Sequence, residues 1–313
     1  MIRGTTRTTT RTTTRTTTRA AAREASRSAV RARHGPPPGE VHVWAVAEPV
    51  PGAGREEELR RCLGLLSPDE QRRRRHVVPS HRALYASAHA ALRAVTAAYA
   101  GLPPSQVAFV KGAFGKPYVA GDPGLRVSLS HTPGLSLVAV SRDGPVGVDV
   151  ERVAPLTDPV GLRHQVLSEP EAAAWPEDRE DALHSGLFTH WTCKEAVLKA
   201  LGSGLAGDIR AVRVAPGARR GGPVRVLAAP GRPDRTWTLQ LIDCGPGFRA
   251  AVAVAGGAET VRVFPLTPGA EPPPWGDAAE SSAGLEGRSR PAGPVAPPPP
   301  VRTPLTKENP SCS

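Results

Sequence analysis

The sequence predicts an α+β chain of two similar halves, framed by two tails that carry no structural period. Three observations lead there. Apolar residues alternate at period two in short runs such as Val41–Val46 and Leu135–Ser141, and recur at helical spacing in longer ones. The order of these runs repeats: Ser67-Pro68-Asp69-Glu70 and Ser168-Glu169-Pro170-Glu171 both read as helix starts, and the strand–turn–strand stretch Leu135–Asp149 is loosely matched by Phe248–Phe264. Composition changes abruptly at both ends, to Thr/Arg repeats before residue 40 and to Pro-rich sequence after Leu266. The expected divisions are therefore a disordered tail over 1–39, an N-terminal half over 40–145, a C-terminal half over 146–267 and a second disordered tail over 268–313.

The elements follow in order. Val41–Val46 is an expected strand, and a helix covers about Arg55–Leu66. Pro at the first helical position after Ser67 opens a helix carrying Arg72 to Arg75. A longer helix from about Ser80 to Ala100 presents Leu84, Ala88, Ala91, Leu92 and Val95 on one face and stops at Gly101. Val107–Val110 precedes the turn Gly115-Lys116-Pro117. Arg126–His131 and Leu135–Ser141 make a hairpin about Pro133-Gly134, and Asp143-Gly144 turns the chain into Val146–Val153. In the second half a helix over Phe188–Leu201 carries Leu187, Trp191, Leu198 and Leu201 at helical spacing and is stopped by Gly202 and Gly204. Strands are expected at Ala211–Val214, Val224–Ala228, Trp237–Ile242, Phe248–Val254 and Val261–Phe264.

Charge is distributed unevenly. The formal +11 comes mostly from the first 39 residues, which hold nine Arg against one Glu, whereas residues 266–313 hold four basic and five acidic groups. The section between is mildly basic, which suits an anionic substrate or an acidic partner better than a nucleic-acid-binding fold. Arg recurs every fourth residue across 5–23, where like charges would repel on a helix and Thr is a poor helix former. Disorder is the expectation there, with a nucleic-acid-binding arm, a transit-like peptide and a misassigned start as alternatives. Cys62, Cys193, Cys244 and Cys312 are too dispersed for a disulfide framework or a zinc site, so a reducing, cytoplasmic setting is expected. No apolar run reaches the roughly 18 residues that a membrane span needs.

The chemistry-bearing residues fall in two places. In Gly147-Val148-Asp149-Val150-Glu151 the period of a strand turns Asp149 and Glu151 to one face and the valines to the other. Paired carboxylates repel unless a positive charge lies between them, and oxygen donors suit a hard cation such as Mg²⁺. In the helix after Phe188, Glu195 and Lys199 lie one turn apart on a shared face, in a chain with only five lysines (Lys111, Lys116, Lys194, Lys199 and Lys307). Glu195 could be a third carboxylate. Lys116, Ser130-His131, Arg82 and the Arg72–Arg75 run could together clamp phosphate. Cys193, inside the helix, reads as a small buried apolar residue.

Gly115-Lys116-Pro117, Ser130-His131, Gly147-Val148-Asp149-Val150-Glu151 and Trp191-Thr192-Cys193-Lys194-Glu195-Ala196-Val197-Leu198-Lys199 resemble, in this order, the motifs of the 4′-phosphopantetheinyl transferases. The likeness is to the larger, single-chain, pseudo-dimeric type that serves polyketide and nonribosomal peptide synthetases, and it covers about Val41 to Leu266. It implies two halves related by a pseudo-twofold axis, and coenzyme A as substrate. It also implies Asp149, Glu151 and Glu195 as ligands of Mg²⁺, Glu195 as the base for a carrier-protein serine, and Lys199 on the pyrophosphate with Lys194 assisting. His131 and Arg82 would hold the 3′-phosphate, Lys116 and Ser130 would line the adenine and phosphate side, and Trp191 would pack the helix. The partner would be an apo acyl or peptidyl carrier protein, acidic and helical, met by a monomer without nucleic acid or membrane. Two other readings stay open on the residues alone: another Mg-dependent phosphate enzyme, nuclease-like, and a non-enzymatic binder led by the Arg-rich arm. The helical spacing of Glu195 and Lys199 disfavours the nuclease.

Overall fold

The computed structural model describes residues 35–272 except 50–51, 53, 123, 176–179, 204–206, 216–220 and 232–235. Almost all of both expected tails lies outside the described residues. Strand β1 (Glu40–Ala47) leads into helices α1 (Arg55–Leu65), α2 (Pro68–His76) and α3 (Arg82–Ala100). Strands β2 (Phe109–Lys111), β3 (Pro117–Val119), β4 (Arg126–Thr132), β5 (Leu135–Ser141) and β6 (Val146–Arg152) follow. Then come α4 (Pro159–Val166), α5 (Glu169–Ala173) and α6 (Glu180–Leu201). The chain continues through β7 (Arg213–Val214), β8 (Val226–Ala228), β9 (Trp237–Ile242), β10 (Phe248–Ala255) and β11 (Thr260–Leu266).

Most expected elements are present with shifted ends. A 3₁₀ turn over Pro79–His81 takes the start of the expected Ser80–Ala100 helix, and another over Ile209–Ala211 shortens the next strand to two residues. The helix expected over Phe188–Leu201 begins earlier than its apolar period suggests, at Glu180, and the chain leaves it through Gly202 at φ +79°. The left-handed conformation there is one that glycine reaches without a Cβ penalty.

The described strands form a six-stranded sheet in the order β11-β1-β5-β4-β3-β2, a three-stranded sheet β6-β10-β9, and the short pair β7-β8. The chain crosses between the two larger sheets at two similar places. After β5 it passes into β6, and after β10 it passes into β11, which runs parallel to β1 from Glu40↔Thr260 to Val46↔Leu266. The strand–turn–strand likeness in the sequence thus marks both crossings. The 40–145 and 146–267 segments are interlocked, because the last strand of the second completes the first sheet.

Alternation of apolar residues builds the layers. Trp44, Val46, Val138 and Phe264 meet Leu92, Val95 and Tyr99 of α3 on one face of the large sheet. Val41, Val43 and Leu137 on its other face meet Val148, Val150, Val252 and Val254 of the small sheet. The far side of the small sheet, with Leu239, Ala251 and Ala253, is covered by Cys193, Ala196, Val197 and Ala200 of α6. The order through the molecule is helix, sheet, sheet, helix.

Strand β6 and α6 meet backbone to backbone at Gly147. A Cβ there would lie 2.0 Å from Ala196 O and 2.4 Å from Ala200 N, so the absent side chain sets their spacing. Gly147→Ala is therefore expected to lower stability by about 3 kcal/mol, as forced overpacking does. Gly64→Ala in α1, where a Cβ meets nothing within 4 Å, should leave stability unchanged or raised by about 0.5–1 kcal/mol. Urea unfolding of both variants measures the difference.

Candidate functional site

The site grows from an edge. β6 borders the small sheet, and its outer N–H groups meet side chains rather than another strand. Val148 N donates to Ser128 Oγ (3.1 Å), Val150 N to Ser130 Oγ (3.3 Å) and Arg152 N to Thr132 Oγ1 (3.2 Å). Alternate hydroxyls of β4 thus satisfy alternate amides of β6 and join the two sheets. Ser130 does more. Its hydroxyl donates to Asp149 Oδ1 at 2.9 Å, and Lys199 Nζ donates to Ser130 Oγ at 2.9 Å and to Asp149 Oδ1 at 2.6 Å. Asp149 is fully buried, while Lys199 remains 23 % exposed. A buried carboxylate is costly without a charge partner, and the Lys199 ammonium supplies it at the rim of the fold.

Glu195 precedes Lys199 by one turn of α6 and is 3 % exposed; Glu151, two residues beyond Asp149, is half-buried. The strand–helix contact at Gly147 places the Asp149 face of β6 under α6, so the three candidate carboxylates sit on two elements in direct contact. Cys193 is buried beside them, and burial pushes its thiol up to about 12, in keeping with a packing role. Trp191 packs with Leu162, Val166, Leu167 and Leu187.

Four of the other candidates bond within the protein. Lys116 Nζ donates to Lys199 O (2.6 Å), Ala200 O (2.9 Å) and Val146 O (2.9 Å). Burial, with Arg126 nearby, lowers its pKa to about 8. Arg82 donates from Nε to Val77 O and from NH2 to Arg75 O, fastening the end of α2. Ser130 belongs to the seam already described. Lys194 is wholly buried, with its ammonium 2.6 Å from Glu171 Oε2 and 2.7 Å from Val166 O. His131 lies half-buried in β4 between Ser130 and Thr132.

Glu171 was legible in the sequence only as a helix cap. Its Oε2 accepts from Ser168 N, Ser168 Oγ and Lys194, and its Oε1 accepts from Val214 N at 2.9 Å. Burial opposes the Glu171 charge, but these donors outweigh it and hold the carboxyl below its ordinary 4.5. The first half repeats the device. Glu70 Oε2 accepts from Ser67 N and from Nε and NH2 of Arg93. Both acids stand 23 residues before their buried cation, a spacing that a search for repeated acid–cation pairs would have found.

The family model for the 4′-phosphopantetheinyl transferase superfamily matches residues 145–254, which span β6, α6 and β10 and contain Asp149, Glu151, Glu195 and Lys199. The 4′-phosphopantetheinyl transferase HetI of Nostoc sp. is 31 % identical over 224 residues, covering 69 % of this chain and 88 % of that protein. The chain belongs to the 4′-phosphopantetheinyl transferase superfamily. More partial likenesses agree: the transferase gsp of Aneurinibacillus migulanus is 30 % identical over 104 residues, 33 % of this chain and 42 % of its own length. The L-aminoadipate-semialdehyde dehydrogenase-phosphopantetheinyl transferase of Eremothecium gossypii is 32 % identical over 119 residues, 36 % and 43 % of the two chains. Phosphopantetheinyl transferase activity follows from this membership.

Among the described residues no group of three His, Cys, Asp or Glu side chains is gathered in a way that could itself hold a metal ion. Mg²⁺ does not need such a cage, since it commonly binds one or two carboxylates and completes its shell with water and substrate phosphate. The oxygen-only donors Asp149, Glu151 and Glu195 fit that chemistry.

The placement of Lys194 has a measurable consequence. Lys194→Met strands a buried carboxylate and should cost about 3–5 kcal/mol of stability, while affinity for coenzyme A stays within twofold. Because Glu171 is held below its ordinary 4.5, its contribution is present at neutral pH and fades as pH falls through and below 4.5. Unfolding curves at pH 7 and pH 4 should therefore differ more for the unmodified protein than for the double variant Glu171→Gln/Lys194→Met, which removes both titrating partners.

Proposed function

We propose that the chain transfers 4′-phosphopantetheine from coenzyme A to a serine of an acyl or peptidyl carrier protein in a Mg²⁺-dependent reaction that releases 3′,5′-ADP. The observation that carries this reading is the contact of Lys199 with Asp149 and Ser130 at the β6–α6 junction. A half-shielded ammonium beside a buried carboxylate is suited to gripping a pyrophosphate that arrives with its own cation.

Each residue has a task in the reaction. Lys199 neutralises charge on the pyrophosphate and orients it. Asp149, Glu151 and Glu195 would hold Mg²⁺, which when bound withdraws charge from the phosphate oxygens as the bond to the leaving group breaks. Glu195 accepts the proton of the carrier serine, directly or through one water, as its oxygen attacks the phosphorus on the pantetheine side. A positioned base of this kind contributes about 10²–10⁴-fold. The P–O bond to the 3′,5′-ADP half breaks, and the pantetheine phosphate remains on serine. His131 and Arg82 would hold the 3′-phosphate, the role that the family resemblance implies for them. The mildly basic middle of the chain suits an acidic carrier, and polyketide, nonribosomal peptide or fatty acid synthesis is the setting in which such carriers work. A cytoplasmic monomer completes the reading.

Incubating an apo carrier protein with the enzyme, coenzyme A and Mg²⁺, and weighing the carrier by mass spectrometry, tests it. One phosphopantetheine should be gained, and EDTA should stop the gain. Glu195→Gln should slow transfer at least 10²-fold without unfolding the protein, and a rate within threefold of normal would remove Glu195 from the mechanism. Asp149→Asn should cost most of the rate and raise the Mg²⁺ concentration needed for half-maximal activity. An unaltered Mg²⁺ curve would remove Asp149 from the metal set.

A further inference from the structure

The terminal carbonyls of a helix lack intrahelical partners and must find donors elsewhere. At the end of α6 that donor is Lys116. It comes from the turn before β3, 83 residues earlier than Lys199. Its ammonium makes three bonds, to Lys199 O, Ala200 O and Val146 O, which is all that three N–H groups allow. Two of these acceptors end α6 and the third begins β6. The side chain is packed as well as bonded: a Cβ on Gly202 would stand 3.4 Å from Lys116 Cδ and 3.4 Å from Tyr118 Oη. A cation at a helix C-terminus is also favoured by the helix dipole.

Lys199 is thereby held at two points. Its carbonyl is bonded by Lys116, and its own ammonium is bonded to Asp149 and Ser130. We propose that Lys116 is a positioning residue, whose ammonium ties the end of α6 to the start of β6 and so sets the Lys199 ammonium against Asp149. Lys116 acts through Lys199, its own ammonium being taken up by three carbonyls. The lowered Lys116 pKa agrees with a group enclosed by carbonyls rather than one facing a phosphate. This assignment rests on the transferase reading for its effect on rate. The geometric part stands without it, since fixing the helix end needs no substrate.

The test uses Lys116→Met in the full chain and three readouts. Hydrogen exchange at the Gly202 and Ser203 amides, which bond Leu198 O, should quicken at least tenfold, with Val252 in β10 unchanged. The kcat for carrier modification should fall on the order of 10²-fold, as a displacement near 1 Å at a reacting group does, with KM for the carrier within threefold. Affinity for adenosine 3′-phosphate, which has adenine and 3′-phosphate but no pyrophosphate, should stay within twofold. A tenfold loss of that affinity with unchanged exchange would make Lys116 a nucleotide ligand and overturn the proposal. Faster exchange with kcat intact would reduce it to a stability role and overturn it equally. If the Met variant does not fold, Lys116→Gln gives the same comparison. Were the unmodified protein to show no transfer at all, the transferase reading would fail while the exchange result still judged the contact.

Discussion

An edge strand exposes a row of amides that must be satisfied, and in this protein β6 has its outer row met by hydroxyls. Ser128, Ser130 and Thr132 stand where a neighbouring strand would, each 20 residues before the amide it accepts from. The two sheets are thereby joined without being continuous, and the join runs past the candidate site. Ser130 accepts from Val150 N and Lys199 while donating to Asp149. The hydroxyl that fastens the sheets is the one that steadies the buried charge, so fold and site share an atom.

A second constraint comes from the face of β6 that α6 covers. Gly147 lets α6 approach the strand at backbone distance, and Lys116 closes the end of that approach by binding carbonyls from both elements. Asp149 and Lys199 are then fixed by contacts among β4, β6 and α6, closed by the turn that carries Lys116. Catalytic groups on a strand and a helix locked together in this way start close to their working positions, which lowers the entropic cost of assembling them around substrate. The buried Glu171–Lys194 pair anchors the same helix on its other side, through Val166 and Val214.

Local rules carried the sequence reading a long way. Strand alternation separated Asp149 and Glu151 from Val148 and Val150, and the valines do enter the inter-sheet core. The glycine stop after Leu201, the 135–141 strand and the Ser-x-x-Glu helix starts also follow from short-range chemistry. Long-range partners were not legible. Nothing in Thr260–Leu266 says that it will lie parallel to β1, because its pattern specifies a buried face and not a neighbour. Lys116, on a stiff turn, reads as an anchor, and the family resemblance implies phosphate-side roles for it and for Lys194. A four-carbon stem can as easily carry the ammonium inward to carbonyls or a carboxylate, and only tertiary packing decides between the two. The matching 23-residue spacings of Glu70–Arg93 and Glu171–Lys194 were present in the sequence, hidden because one cation is Arg and the other Lys.

The central claim is that the partly exposed Lys199 ammonium, held against Asp149 and Ser130, is the grip on the pyrophosphate of coenzyme A. Calorimetric titration of coenzyme A with Mg²⁺ into the unmodified protein and into Lys199→Ala tests this most directly. The loss of one charge-assisted contact predicts affinity at least tenfold weaker in the variant, about 1.5–3 kcal/mol. Equal affinity in two equally folded proteins would show that the pyrophosphate is held elsewhere and would contradict the account.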